Sequence, residues 1–416
     1  MTDTQPPHAS DTHAAPPTTT PPTPDAWERA HAAPSSWRGR TRRRLARRWK
    51  LIAGLCIVST FYVVAVLANF IAPYDASEQS RQQPLAPPTP IHFRDAEGRW
   101  HARPFIYRLR LTDPLARTYS EDTAARFPLA LLTRGHSYKL FGLFPTDRHL
   151  FGIAPDSRPN SGSSQHTNAT PNSNSPPNTS TPSPQRVYLL GTDEFGRDRL
   201  SRLLMASRFS LAVGPLGTLL AGVLGVFLGC VSGYAGRRVD ALLMRAADAM
   251  LALPDLVLIL AARAAFPLVL PPTHAGLLLV AIFIAIGWAE MARLARGLVL
   301  GLREREFVLA AVSLGLTETR ILFRHILPNA SRPLVVQLSL MLPAFLLAET
   351  ALSFLGVGVQ EPAASWGNML VTAGNLTLLG QQPLVLLSPA FAIFLFVLGV
   401  RLLSDGLRRD GDLRAR

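Results

Sequence analysis

Three carboxylates fall within the octapeptide "GTDEFGRD" (191–198): Asp193, Glu194 and Asp198. Grouped carboxylates can hold a metal or divide acid–base work between them. Nothing else catalytic accompanies these, and Gly191 and Gly196 mark tight turns. The stretch reads instead as a helix start, in which Thr192 and Asp193 cap a segment that lays Leu200, Leu203 and Leu204 along a membrane surface. Cys56 and Cys230 both sit in apolar runs, which excludes a disulfide framework and a cysteine zinc site. A nucleotide-binding P-loop needs a glycine-rich turn followed by Lys-Ser/Thr. The only lysines, Lys50 in "RRWKLI" and Lys139 in "HSYKLF", lack that context. The chain is therefore expected to carry no catalytic residue, no cofactor and no metal.

The remaining charges of interest lie inside apolar sequence. Glu349 interrupts "LLAETALSF" and Arg263 interrupts "ILAARAAF". Ionisable groups at membrane depth are costly and face a polar pathway or a partner. Glu349 fits a translocation route or outer gate, and equally a structural hydrogen bond to a neighbouring helix. Arg263 could contact substrate, pair with Glu349 or snorkel outward; pairing or snorkelling is the favoured expectation.

These positions need membrane-spanning elements around them. Six segments meet the length of about 20 residues for a spanning helix: 51–71, 210–231, 250–270, 276–291 (completed by 292–298), 335–354 and 386–403. The first is too long and too far from the start of the chain for a signal peptide, and reads as a retained anchor. The formal charge is +14, and nearly all the basic residues are arginines clustered beside apolar spans, where the orientation rule puts them. No aromatics interleave with them in the way that stacks bases, so nucleic acid is not an expected partner. "RGRTRRRLARRWK" before the first span keeps the N-terminus in the cytoplasm, and six crossings return the C-terminus there. The expected outer loops 271–275 and 356–385 contain no lysine or arginine. Arg197, Arg199, Arg202 and Arg208 break this alternation by crowding the outer side of the second span.

Residues 1–36 are rich in Pro, Thr, Ala and His and read as a disordered cytoplasmic tail. From 91 to 153, short alternating runs such as "RPFIYRLRL" predict a small β-rich domain. The segment 161–184 is low complexity and reads as a flexible loop, in which the sequons at Asn168 and Asn178 arise from composition.

The stretch 307–329, "FVLAAVSLGLTETRILFRHILPN", builds two short helices from local rules. Gly315 is placed to cap the first, the Thr317 hydroxyl to cap the second, and Pro328 to end it. An exposed apolar helix needs a partner surface; alternatively, both helices pack beneath the membrane bundle.

This stretch resembles the cytoplasmic signature loop of binding-protein-dependent ABC importer permeases, E-A-A, three residues, G, nine residues, I-x-L-P. Ala310, Ala311, Gly315, Leu327 and Pro328 match in register, while Leu309 stands at the motif's Glu and His325 at its Ile. "LGTDEFGRDRLSRLLMASRFSL" (190–211), "AETALSFLGVGVQEPAASWGNML" (348–370) and "RLLSDGLRRD" resemble the dipeptide and oligopeptide permeases of the C-subunit type. The resemblance implies an all-α membrane protein with the six transmembrane helices of the type I permease fold and a β-rich extracytoplasmic insert after the first helix. Its implied divisions are an anchor at 37–73, an insert at 74–189, an amphipathic segment at 190–209, a permease domain at 210–405 with a coupling loop at 303–329, and a tail at 406–416. The implied function is import of di- or oligopeptides across the bacterial inner membrane, with nickel chelates or another small solute as the alternative. A stand-alone secondary transporter would need more charged spans and a repeat. The implied partners are a second permease subunit, two ATPase subunits that hydrolyse ATP, an extracytoplasmic substrate-binding protein and membrane lipid. The implied coupling residues are Leu309, Ala310, Ala311, Gly315, Leu316, Thr317, Arg320, Arg324, His325, Leu327 and Pro328. Arg320 and Arg324 share a helical face and could meet acidic residues of an ATPase cleft or lipid headgroups.

Overall fold

The computed structural model describes residues 37–113, 117–140, 144–154, 185–234 and 236–414. The tail 1–36 and the loop 161–184, with both sequons, lie outside the described residues. The chain divides after Arg48. Of the first unit only helical backbone from Trp37 is described; the rest concerns the unit Trp49–Arg416.

Among the described residues, five helices are long and apolar enough to cross a membrane: Trp49–Val66, Arg199–Tyr234, Pro272–Arg303, Glu318–Phe354 and Ser388–Arg408. In chain order, α1 (Trp37–Val66) and α2 (Ala68–Ile71) precede four strands, β1 (His92–Arg94), β2 (Trp100–Asp113), β3 (Thr118–Leu140) and β4 (Phe144–Ile153). Then follow α3 (Arg199–Tyr234), α4 (Arg237–Leu251), α5 (Asp255–Ala264), α6 (Pro272–Arg303), α7 (Glu306–Ser313), α8 (Glu318–Ile321), a π turn (Leu322–Ile326) and α9 (Leu327–Phe354). The chain ends with α10 (Trp366–Met369), a short 3-10 turn, α11 (Leu376–Gln381), α12 (Pro383–Leu386) and α13 (Ser388–Arg414).

Two expectations differ from this. The segment 250–270 is not one long helix. Pro254 lies at the N-cap of α5 in extended geometry (φ −60°, ψ 129°). It lacks an N–H and pushes its predecessor out of helical space, so α4 and α5 separate there. Of the amphipathic segment expected at 190–209, residues 199–209 are continuous with the second span in α3, while 190–198 precede the helix.

The core forms where α3 lies between α6 and α9. The α3–α6 seam is close enough to exclude side chains. A Cβ on Gly225 would stand 2.6 Å from both the Met291 Cβ and the Trp288 carbonyl oxygen, and one on Gly229 only 2.5 Å from the Ala292 carbonyl oxygen. Small residues at such contacts let helix backbones gain dispersion energy where lipid offers no hydrophobic drive. Phe283 and Phe345 stack at 4.7 Å beside the seam. A second cluster joins α1 to α10 and α13, where Phe61 meets Trp366 at 5.8 Å and Phe396 at 5.6 Å, both edge-on.

The strands between 92 and 153 form an antiparallel sheet in the order β1-β2-β3-β4. The long β3 pairs with β2 through its first half and with β4 through its second. Ile106, Phe127 and Val187 form its small core. Buried His149 ties the sheet to the end of the first helical segment, its Nδ1 2.7 Å from the Ala72 carbonyl and its Nε2 3.0 Å from that of His136.

Gly225→Leu should overpack the seam and cost about 3 kcal/mol. The expected outcome is a lower midpoint of thermal unfolding in detergent, while a substitution at Gly297, with nothing within 4 Å of its Cβ position, leaves it unchanged.

Candidate functional site

The loop between α6 and α9 is built by a specific cap. Gly315 has φ +74°, a conformation that disfavours a Cβ. The Leu316 N–H donates to the Ala311 carbonyl (3.2 Å) and the Gly315 N–H to that of Val312 (2.9 Å). These paired bonds are the Schellman arrangement, with Leu316 packed against the same apolar cluster as Ala311. Gly315 therefore caps α7 as the sequence predicts. Thr317 occupies the N-cap of α8, but its hydroxyl makes no capping bond and faces the Thr319 hydroxyl at 3.4 Å. Pro328 does not end the second helix. The π turn places the Leu327 N–H on the Leu322 carbonyl, and Pro328 then falls in the first turn of α9, where a missing N–H costs nothing.

The two faces of α7 have different fates. Val308 and Ala311 are buried with Cys230, Val299, Ile321 and Ile326. Leu309, Ala310 and Val312 are exposed, as is Leu314 at 81%. The element thus packs beneath the bundle and also presents an exposed apolar face. Arg320 and Arg324 are exposed, His325 and Leu327 half-buried, and Pro328 exposed. The base is braced by Arg296, which bonds Asp240 of α4 (Nη2 to Oδ2, 2.6 Å), and by Arg303, which donates to the Gly233 carbonyl at 2.7 Å.

Glu349 and Arg263 are both fully buried but are not brought together. Arg263 turns back on its own helix end and donates to the carbonyls of Pro267 (3.0 Å) and Leu268 (3.1 Å). These are orphan acceptors after a helix C-terminus, which a guanidinium satisfies well. Glu349 accepts from the Ser353 hydroxyl at 2.9 Å, while its Oε2 has no partner among the described residues.

Two of the four arginines that break the charge alternation, Arg197 and Arg202, share a polar cluster with Asp193 and Glu361 that sequence reasoning missed. Arg197 bonds Asp193 (2.7 Å) and Glu361 (2.6 Å), and Arg202 bonds Glu361 (2.9 Å). Arg197 and Arg202 are buried, so their charges are neutralised in place. Arg208 caps the end of α1, donating to the Ala65 and Val66 carbonyls at 2.7 and 3.0 Å. The only early signal was four arginines on the wrong side of a span. The helix cap also differs from expectation. Thr192 bonds the 83–86 loop, and Asp198 caps α3 by accepting from the Ser201 N–H at 2.8 Å. Burial pushes the Asp198 carboxyl up from 3.8 to about 6.

Residues 225–410 match the family model described as "Binding-protein-dependent transport system inner membrane component", and residues 35–88 match "N-terminal TM domain of oligopeptide transport permease C". The chain is 37% identical over 234 residues to the oligopeptide transport system permease protein OppC of Bacillus subtilis, covering 56% of this chain and 74% of that one. The chain belongs to this permease family. It is also 39% identical over 225 residues to the dipeptide transport system permease protein DppC of Alkalihalophilus pseudofirmus, covering 54% of this chain and 71% of that one. Among solved structures, an amino acid ABC transporter covers 50% of this chain and 94% of its own at 18% identity and a TM-score of 0.38, too low to carry an argument. The permease is a multi-pass inner-membrane transport component of the ABC class, as the motif at 307–329 implied.

Two outcomes follow for the polar cluster. Asp193→Ala leaves Arg197 and Arg202 short of a counter-charge and should cost about 3–5 kcal/mol, read as loss of monodisperse protein in size-exclusion chromatography. Because the folded-state pKa of Asp198 is raised, the native state holds its proton more tightly than the unfolded one. Its contribution is most favourable below about pH 4 and is lost as pH rises through about 6. Differential scanning in detergent should show Asp198→Asn, which retains an acceptor for Ser201, with a flatter stability profile across that window.

Proposed function

We propose that this chain is a transmembrane subunit of an ATP-driven importer that passes small peptides across the bacterial inner membrane. The observation that carries the reading is the capped α7–α8 element, whose buried face is locked to the seam while its outer face is apolar and unpartnered. The names of the relatives, oligopeptide and dipeptide permeases, favour peptides as the substrate class. In this reading a second permease subunit completes the pathway, two ATPase subunits bind below the pair, and one of them docks on the exposed face of Leu309, Ala310, Val312 and Leu314 of this chain. Arg320 and Arg324 meet acidic groups of the ATPase cleft. Leu309, at the position of the motif's Glu, replaces a polar contact there with an apolar one. A substrate-binding protein delivers peptide at the other side.

The topology proposed has six crossings, with the broken pair α4 and α5 supplying the one that is not a single long helix. Both termini are then cytoplasmic and the β sheet lies outside. Closure of the ATPases pushes α7 and α8, and the seam passes that displacement to α3. Buried Glu349, with one oxygen unpartnered, is placed in the pathway or its outer gate, and Arg263 holds the end of α5.

Leu314→Asp should weaken capture of the ATPase subunits by more than about tenfold, the scale of a hot-spot loss, while membrane insertion is unchanged. Retained co-purification of the ATPases would reject the docking assignment. Glu349→Gln keeps a hydrogen-bonding group for Ser353. A gating role predicts an assembled importer with reduced uptake, and wild-type uptake in that variant would reject it.

A further inference from the structure

The cluster at the start of α3 borders a cavity of about 310 Å³, lined by Arg197, Arg199, Arg202, Glu361, Asn368 and Asn375 among others. That size lies at the low end of small-molecule sites, which span about 300–1,000 Å³. Three arginines face three carboxylates in its lining, Asp193, Glu194 and Glu361, but the carboxylates are not shared evenly among the arginines. Asp193 and Glu361 are both shared between Arg197 and Arg202. Arg199 is the third cation, only 2% exposed. Its Nε has no hydrogen-bond partner among the described residues, and its one contact, to the Val385 carbonyl, is 3.5 Å, at the limit of a hydrogen bond. A guanidinium presents five donors in a planar fork that matches a carboxylate. Burying one whose donors are not hydrogen-bonded is costly. The N-terminus of α3, where Arg199 is the first residue, adds positive potential at the same place. The Asn368 and Asn375 side chains each use their carbonyl oxygen to cap a short helix nearby, which holds this wall of the cavity in place.

We propose that this cavity receives the terminal carboxylate of a transported peptide, with the Arg199 guanidinium as its partner. The inference rests on the peptide reading above. It places a charge-selecting station at one end of α3, while Tyr234 at the other end joins the cluster beneath α7 and α8. A helix of 36 residues separates the two by roughly 50 Å. A bound carboxylate therefore sits at the far end of the element that the coupling loop would move.

The test uses the assembled importer in detergent, without the binding protein, and dialanine and dialaninamide as probes. The parent should bind dialanine at least tenfold more tightly than the amide. Arg199→Met should lose that preference, with amide binding changed less than twofold, and Arg199→Lys should keep part of it. Equal affinities for the two probes in the parent, or equal losses for both in the variants, would overturn the assignment; the second result would make Arg199 a structural residue. If Arg199→Met does not assemble, the lysine variant decides, since only a carboxylate partner makes its defect selective for dialanine. Uptake of dialanine by the complete parent importer is measured alongside. Uptake with equal affinities sinks this inference alone, whereas absence of uptake of any small peptide sinks the peptide reading and this inference with it.

Discussion

The close contact of α3 with α6 is the constraint on which the rest depends. At Gly225 and Gly229 the two backbones approach until no Cβ fits between them. In a bilayer no hydrophobic drive holds helices together, so dispersion at such a seam carries the packing. The seam also defines a stiff unit. One end of α3 starts at the buried arginine cluster, and the other ends beside the cluster of Cys230, Val308, Ala311 and Ile326.

Several buried or half-buried arginines in this protein are met by backbone carbonyls at helix ends and by shared carboxylates. Arg263 satisfies the carbonyls after its own helix, and Arg208 those at the end of α1. Arg197 and Arg202 share two carboxylates across the junction of the α3 start and the 356–361 turn. Each arrangement removes a free charge from apolar surroundings, where an unpaired one would be costly. Some buried polar atoms keep no hydrogen-bond partner among the described residues, among them the Nε of Arg199, the Nε of Arg263 and one oxygen each of Asp198 and Glu349.

The α7–α8 element shows how a short sequence can divide into a buried and an exposed face. The helix repeat puts Val308 and Ala311 on one side and Leu309, Val312 and Leu314 on the other. The first set anchors the element to the bundle, and the second remains exposed. The Schellman cap at Gly315 sets the angle between the two helices, and the π turn before Pro328 joins the second to α9 without a break.

The sequence by itself determined which segments are apolar enough to span a membrane, that strands lie between 91 and 153, and that Gly315 caps α7. It also carried the motif register from Ala310 to Pro328. These depend on local length, periodicity and backbone freedom, which a single chain segment expresses without its neighbours. The tertiary structure alone decided the rest. The break at Pro254 divides what hydropathy reads as one span, because hydropathy counts apolar residues and not backbone hydrogen bonds. The ring of Pro328 takes a role other than the expected one because the π turn leads directly into α9, and the Thr317 hydroxyl faces that of Thr319 instead of capping α8. The arginines from 197 to 208 read as an anomaly of orientation, since their partners, Glu361 and the carbonyls of Ala65 and Val66, lie far away in sequence. The sequence leaves Arg263 open to substrate contact, to pairing with Glu349 or to snorkelling, and the structure places it on the Pro267 and Leu268 carbonyls. Charge and depth are legible from one strand of text, but the distance between two helices is set by packing.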